Sequence, residues 1–296
     1  MQLVRRGKVK DVYDEGETLL FKFSNRISVF DKIIPNEIPE KGASLCRTSS
    51  YWFGMVNNEL HFNTHFIEMP ARDQMRVKKY SVLQRKLTPE DSNYLIPLEF
   101  VTRYYVAGSL FDRIKSGEIK YADLGFSKHP SYGDKLPDPF FETTTKFEKF
   151  DRPVSPSEAC QIGGLTPSDL EEIRNEAFRI DEKINARVYS RGLIHADGKK
   201  EFAMDTDRKP VLVDTFGTAD EDRFWDKERY AEGEQLEISK EMVRQYYRSI
   251  GYHSKLYEAR AKGLKEPEIP PLPPDMIRAV TELYTGLYEK ITGLSW

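Results

Sequence analysis

The chain has only two cysteines, Cys46 and Cys160, far apart and outside any CxxC pair. That scarcity excludes a disulfide framework and a cysteine-based zinc site, and points to a reducing, cytoplasmic setting. Charge imbalance is also nearly absent. A net charge of -3 over 296 residues provides no basic stripe of the kind that carries nucleic-acid affinity, so nucleic acid is not an expected partner. No run approaches the ~18 apolar residues that a membrane span needs, and residues 1–14 lack the apolar stretch of a signal peptide. A soluble protein without a membrane partner is expected. Several catalytic signatures are missing too: no GxxxxGK[ST] phosphate loop, no GxSxG nucleophile elbow, and no HExxH spacing among the five histidines.

What is present is the composition of an enzyme-sized globule, with 39% apolar and 31% charged residues, in a chain long enough for two lobes around a cleft. In the first third, short apolar runs at 18–23, 65–69, 75–78 and 80–84 alternate with turn residues, the pattern of an antiparallel sheet. One helix interrupts them, starting at Gly42, Ala43 and Ser44 and placing Leu45, Trp52, Phe53 and Val56 on one face. A boundary near residues 88–91 divides an N-terminal lobe, 1–88, from a C-terminal lobe, 89–296. Beyond it, residues 98–106 alternate as a strand that stops at Gly108 and Ser109 before a short helix. Thr166, Pro167 and Asp169 make a helix start, and Leu170, Ile173, Ala177, Ile180, Ile184 and Val188 follow at helical spacing. Residues 193–204 and 211–214 flank a turn-rich segment and predict a hairpin. A proline-rich connector, 266–274, leads to a last helix that Asp275 can cap.

The hairpin carries the sharpest chemical signal. Strand alternation puts His195, Asp197, Lys199 and Glu201 on one face, and a loop over 206–209 sets Glu201 opposite Asp214. Two carboxylates about 4 Å apart at an effective dielectric near 20 repel by roughly 4 kcal/mol, so one is protonated or a cation lies between them. Asp197, Glu201 and Asp214 form an oxygen donor set suited to Mg²⁺ with nucleotide phosphates, and Lys199 lies within reach of the same phosphates. A solvated hairpin with its charges facing water is the alternative, and the pattern leaves both open. Lys8 and Lys10 beside Gly7, on one strand face, make a second anion candidate, set against an ordinary basic pair on a solvated strand. Arg103 with Gly108 and Ser109, Arg223 after three acids, and Lys146 are further candidates, each set against a surface ion pair.

Taken together and in order, residues 7–13 (GKVKDVY), 25–31 (NRISVFD), 38–42 (IPEKG), 97–109 (PLEFVTRYYVAGS), 212–214 (LVD) and 222–225 (DRFW) resemble the SAICAR synthetase family. The last helix, ending YEKITGLSW, is similar to the C-terminus of its longer, fungal-type members. The resemblance implies an α+β, two-lobed fold whose N-terminal antiparallel-sheet lobe binds nucleotide and is distantly like that of protein kinases. It also implies ATP- and Mg²⁺-dependent condensation of carboxyaminoimidazole ribonucleotide (CAIR) with L-aspartate, in purine biosynthesis. By the same resemblance Lys8 and Lys10 contact ATP, Asp197, Glu201 and Asp214 hold Mg²⁺, and Lys199 lies between the strand carboxylates. Arg103, Ser109 and Arg223 match ribonucleotide-phosphate contacts, while Lys146 and Asp31 match positions near the other substrate. Glu201 and Asp214 are also expected to contact the nucleotide and, with Lys199, to be catalytic. The chain departs from the family's usual ADTKFEFG strand at Gly198, Lys200 and Ala203, and from its Asp-Glu pair at Thr215. Those departures keep open a related ligase with a different carboxylate and amine, and a non-catalytic nucleotide-binding regulator.

Overall fold

The computed structural model describes residues 1–148 and 151–296. Its first unit is an antiparallel sheet of β1 (Gln2–Arg6), β2 (Lys10–Asp14) and β3 (Thr18–Phe23). A separate hairpin, β4 (Arg26–Val29) and β5 (Lys32–Glu37), follows, then α1 (Lys41–Met55), which continues as one π-helical turn over Val56–Leu60. Strands β6 (Phe66–Ala71) and β7 (Gln74–Lys78) complete the sheet in the order β1-β2-β3-β7-β6. Residues 80–84, expected as a strand, make only an isolated bridge from Ser81 to Tyr94. Tyr80 is buried here while Val82 is left 54% exposed, so beyond the Ser81 bridge this segment runs as a connector.

The second unit is built around one long strand. After β8 (Tyr94–Leu95), β9 (Leu98–Tyr105) and α2 (Gly108–Lys115) come β10 (Lys135–Thr145), β11 (Pro153–Val154), α3 (Pro156–Gly163) and α4 (Pro167–Tyr189). Then β12 (Leu193–Met204) pairs with β9 on one side, and with β13 (Pro210–Val213), β14 (Arg223–Asp226) and β8 along the rest of its length. The chain closes with α5 (Lys227–Ala231), α6 (Glu241–Ser249), α7 (Tyr252–Ala261) and α8 (Pro274–Thr292). The start of α4 forms as its sequence dictates: Thr166 and Asp169 cap each other reciprocally. Asp275, expected to cap α8, instead sits in its first turn, because Pro273 occupies the cap position and Pro274 already has the helical φ for the first turn. One apolar cluster runs from Phe21 and Phe23 through Trp52 and Phe53 to Phe202, Tyr284 and Ile291, so both units pack on a shared core.

A buried ion pair ties three distant segments to this core. The Lys41 ammonium, wholly buried at the start of α1, lies 2.8 Å from Asp220 Oδ2, the Tyr284 hydroxyl of α8 donates to the same carboxylate, and Lys240 Nζ is 3.6 Å away. Burial pushes the Asp220 pKa up, but Lys240 and Lys41 outweigh it and hold the carboxyl well below its usual range. A folded-state pKa lower than the unfolded one contributes stability that is present above the ordinary value and lost as pH falls through it. The expected result is that Asp220→Asn lowers the thermal midpoint at pH 5, and that its gap from the parent narrows as melts are repeated down to about pH 3. A gap that widens on acidification would reject this assignment.

Candidate active site

The site lies along the face of β12 turned away from α4. Ala196 is an extra residue in the β12–β14 ladder, where His195 pairs with Phe224 and Asp197 with Arg223. This bulge reverses the strand's phase, so the expected single face is split: His195 contacts Asn185 of α4, whereas Asp197, Lys199 and Glu201 face the opposite side. The hairpin register also differs from expectation by one residue. Asp205 Oδ1 accepts from the Asp207 and Lys209 amides, which draws Asp205 into the loop, so Met204 pairs with Pro210 and Glu201 with Val213 rather than Asp214. Asp214 reaches the same side by other means: its φ of 62° turns the chain just past the end of β13.

Five cations organise these carboxylates. Lys146, next to the end of β10, pairs with Glu201 and lies 3.8 Å from Asp214 Oδ2. Lys10 stands over the ring of Phe21, 4.6 Å from its centroid, and reaches across from the first sheet to pair with Asp214. Thr215 donates to Asp214 at 3.3 Å, so the residue that departs from the family pair is a direct neighbour of that carboxylate. Lys199 lies 2.7 Å from Glu99, 3.0 Å from Glu221 and 3.4 Å from Glu201. Arg103, directly across the ladder from Asp197, lies 3.3 Å from that carboxylate, binds Glu142 at 2.6 Å and donates to Ser109 Oγ at 3.1 Å. Arg223 pairs with the same Asp197.

The ionisation states follow from this packing. Burial opposes charge on Asp214, but Lys10 and Lys146 prevail and hold its carboxyl far below the ordinary value. Burial likewise opposes charge on Lys199, yet Glu221, Glu201 and Glu99 together raise its pKa well above normal. Lys146 is raised in the same way, by Glu201 and then Asp214. Glu99 goes the other way: burial raises its carboxyl despite Lys199.

Beside this charged row opens a cavity of about 730 Å³ whose walls include Arg103, Ser109, Asp197, Lys199, Glu221 and Arg223. At one end, α2 presents its N-terminus at Gly108, whose φ is 51°. A Cβ there would lie 2.8 Å from Arg223 Nη2, so only glycine lets the guanidinium rest against the helix start. Arg223 Nε is buried and lies 3.4 Å from Glu237 Oε1, so this guanidinium is shared between Glu237 and Asp197. Two guanidinium groups, a hydroxyl and a helix N-terminus form an anion grip.

The far wall carries residues that sequence reasoning did not single out: Phe30, Arg244, Arg248, His253 and Tyr257. Arg244 and Arg248 both pair with Glu241, and the 241, 244, 248 spacing that puts them on one helical face was the available signal. Phe30 and Asp31 both have positive φ at the tip of the β4–β5 hairpin, and the Phe30 ring meets His253 at 4.7 Å between centroids. Lys8 and Lys10 do not share a strand face. Lys8 lies in the turn before β2, where the chain reverses, and its 2.7 Å pair with Asp31 is exposed on both sides, while Lys10 opens β2 and points to Asp214.

Among the described residues, one set of three acidic or histidine side chains has its ligand atoms all within 4.8 Å, namely Asp181, His195 and Asp222. Asp197, Glu201 and Asp214 are not gathered to that spacing. Asp197 is held by two guanidinium groups, whereas Glu201 and Asp214 share one ammonium. No helix among the described residues is long and apolar enough to cross a membrane.

An antiparallel sheet beside a second sheet, with lysines and carboxylates interleaved between them and an anion grip beside them, defines an enzyme that handles charged, phosphate-bearing substrates. The family model described as SAICAR synthetase matches residues 3–259. Phosphoribosylaminoimidazole-succinocarboxamide synthases of Thermoplasma acidophilum and Thermoplasma volcanium are 59% and 60% identical, each over the full length of both chains. The solved SAICAR synthase from Saccharomyces cerevisiae, in complex with SAICAR, superposes with a TM-score of 0.75 at 27% identity, covering 99% of this chain and 95% of that one. The chain therefore belongs to the SAICAR synthetase family. Its α+β fold is that of the family, and its activity is the ATP-dependent ligase reaction that forms phosphoribosylaminoimidazole-succinocarboxamide in purine biosynthesis.

Proposed function

We propose that CAIR binds in the 730 Å³ cavity with its phosphate against Arg103, Ser109, Arg223 and the start of α2, and that ATP lies between the sheet of residues 2–78 and the end of β13. The observation that carries this reading is the convergence of Arg103, Ser109 and Arg223 with the start of α2 on one side of the cavity. Guanidinium forks, a hydroxyl and the amides of a helix start are the donors that suit a phosphate.

On this reading Lys10 and Lys146 meet the nucleotide phosphates and Lys199 stands between the phosphates and the ribonucleotide. Lys8 and Asp31, an exposed pair at two facing turns, border the nucleotide and the amine substrate respectively. Glu201 and Asp214 are the hard oxygen donors that would hold Mg²⁺, which when bound neutralises phosphate charge. Asp197, already shared by Arg103 and Arg223, acts by orienting those guanidiniums.

The CAIR carboxylate oxygen attacks the γ-phosphorus as the bond to the ADP oxygen breaks, giving an acyl phosphate. The aspartate amine then attacks the acyl carbon, loses a proton and expels phosphate, which leaves the amide. The lysines stabilise charge that develops on the transferring phosphoryl group.

The test is phosphate release with Mg-ATP, CAIR and L-aspartate, each omitted in turn, followed by product mass and by KM values for Arg223→Gln. Release that requires all three, with the succinocarboxamide as product and a raised KM for CAIR alone in the variant, is expected. A different amine in the product, or a KM change confined to ATP, would overturn the assignment.

A further inference from the structure

Under the cavity floor, the opposite face of β12 carries a polar cluster that the chemistry above leaves unused. The Ala196 bulge brings His195 to the same side as Gly198 and Lys200. His195 Nε2 lies 2.7 Å from Asp222 Oδ2, its Nδ1 lies 2.7 Å from Asn185 Oδ1 on α4, and both the histidine and Asp222 side chains are fully buried. The other carboxylate oxygen of Asp222 accepts the Gly217 amide at 2.8 Å, while the Asp222 amide donates to Thr218 O at 2.9 Å. One side chain therefore closes the loop 217–222 on itself and pins it to β12.

The residues on either side of Asp222 are those that reach the cavity. Glu221 turns to Lys199 at 3.0 Å, and Arg223 pairs with Asp197. Displacing Asp222 moves both. The cluster is a brace rather than a metal shell, because its acids are already taken: Lys200 and the hydroxyls of Thr102 and Tyr104 bond Asp181, and His195 bonds Asp222. Gly198 belongs to the same device. A Cβ at that position would lie 2.7 Å from His195 Nε2 and closer still to Asp222 Oδ2, so the pair can form only beneath a glycine.

We propose that His195 and Asp222 are positioning residues for the ligase reaction, locking loop 217–223 so that Arg223 and Glu221 stand correctly for the ribonucleotide. The inference rests on the assignment of CAIR to the cavity. It is tested in the full-length enzyme with Asp222→Asn and His195→Gln, measuring kcat and the separate KM values for CAIR and ATP. A rise of about ten-fold or more in KM for CAIR is expected, with KM for ATP within about two-fold and the thermal unfolding still cooperative. Lowered thermal midpoints with both KM values unchanged would mean a purely structural pair and overturn the proposal. Gly198→Ala, which wedges the pair apart, should reproduce the CAIR effect, yet add less than about two-fold in an Asp222→Ala background. Independent, multiplicative effects would also overturn it. Arg223→Gln is the reference: if it raises KM for CAIR and the other variants do not, the inference alone falls, whereas an unmoved value removes the cavity assignment and the inference together.

Discussion

Replacing Asp214 by asparagine is expected to lower kcat by about 10²- to 10³-fold while the chain remains folded. The substitution keeps the shape, and asparagine, like aspartate, tolerates the left-handed backbone that φ of 62° requires at this position. What it removes is charge. Asp214 is the one carboxylate that Lys10 pairs with among the described residues, and Lys146 lies between it and Glu201. Without it, Lys10 loses its anchor across the gap between the sheets, and one of the two proposed oxygen donors becomes neutral. Because Lys10 and Lys146 hold the Asp214 carboxyl far below its ordinary pKa, it stays ionised throughout the neutral range. The parent's activity should therefore show no acid limb from this group near pH 6, and raising pH should not rescue the variant. Single-turnover phosphate release is the direct check. Undiminished kcat in both Asp214→Asn and Glu201→Gln would remove the hairpin carboxylates from the mechanism.

Periodicity and local chemistry made the frame of this site legible. The start of α4, with Thr166 and Asp169 capping each other, and the β12–β13 hairpin both follow from residues close in sequence. The finer placement depended on backbone irregularities that alternation rules cannot register. A single extra residue at Ala196 moved His195 to the other face, Asp205 folding back on its own loop shifted the register by one, and the positive φ of Asp214 restored by a bend the approach that the ladder withheld. The far wall of the cavity, with Arg244, Arg248 and His253, depends on how α6 and α7 return over Phe30. Nothing local to those helices specifies that return. Lys200 illustrates the limit most clearly, since a lysine beside Lys199 on a polar strand reads as solvated, and only the fold shows it to be wholly buried against Asp181.

That burial leads to a large expected effect on stability. Lys200→Met should cost about 3–5 kcal/mol, because it leaves the Asp181 carboxylate charged and buried with only neutral donors, the hydroxyls of Thr102 and Tyr104. The cost belongs to the orphaned charge more than to the lost attraction. Taking two ions out of water costs about as much as their pairing returns, so an intact buried pair contributes little net stability while half of one is strongly unfavourable. Removing both charges should therefore recover most of the loss. Lys200→Met with Asp181→Asn keeps an acceptor for the two hydroxyls and fills the lysine stem's volume with an apolar chain. Its denaturant midpoint should lie closer to the parent's than that of Lys200→Met alone, measured by urea unfolding followed at two wavelengths to test two-state behaviour. If the two substitutions simply added, Asp181 would be indifferent to Lys200, and the ion pair beneath β12 would not be the source of the effect. Full recovery is not expected, since burial lowers the His195 pKa while Asp222 and Asp181 raise it, and the double variant would lose the Asp181 share.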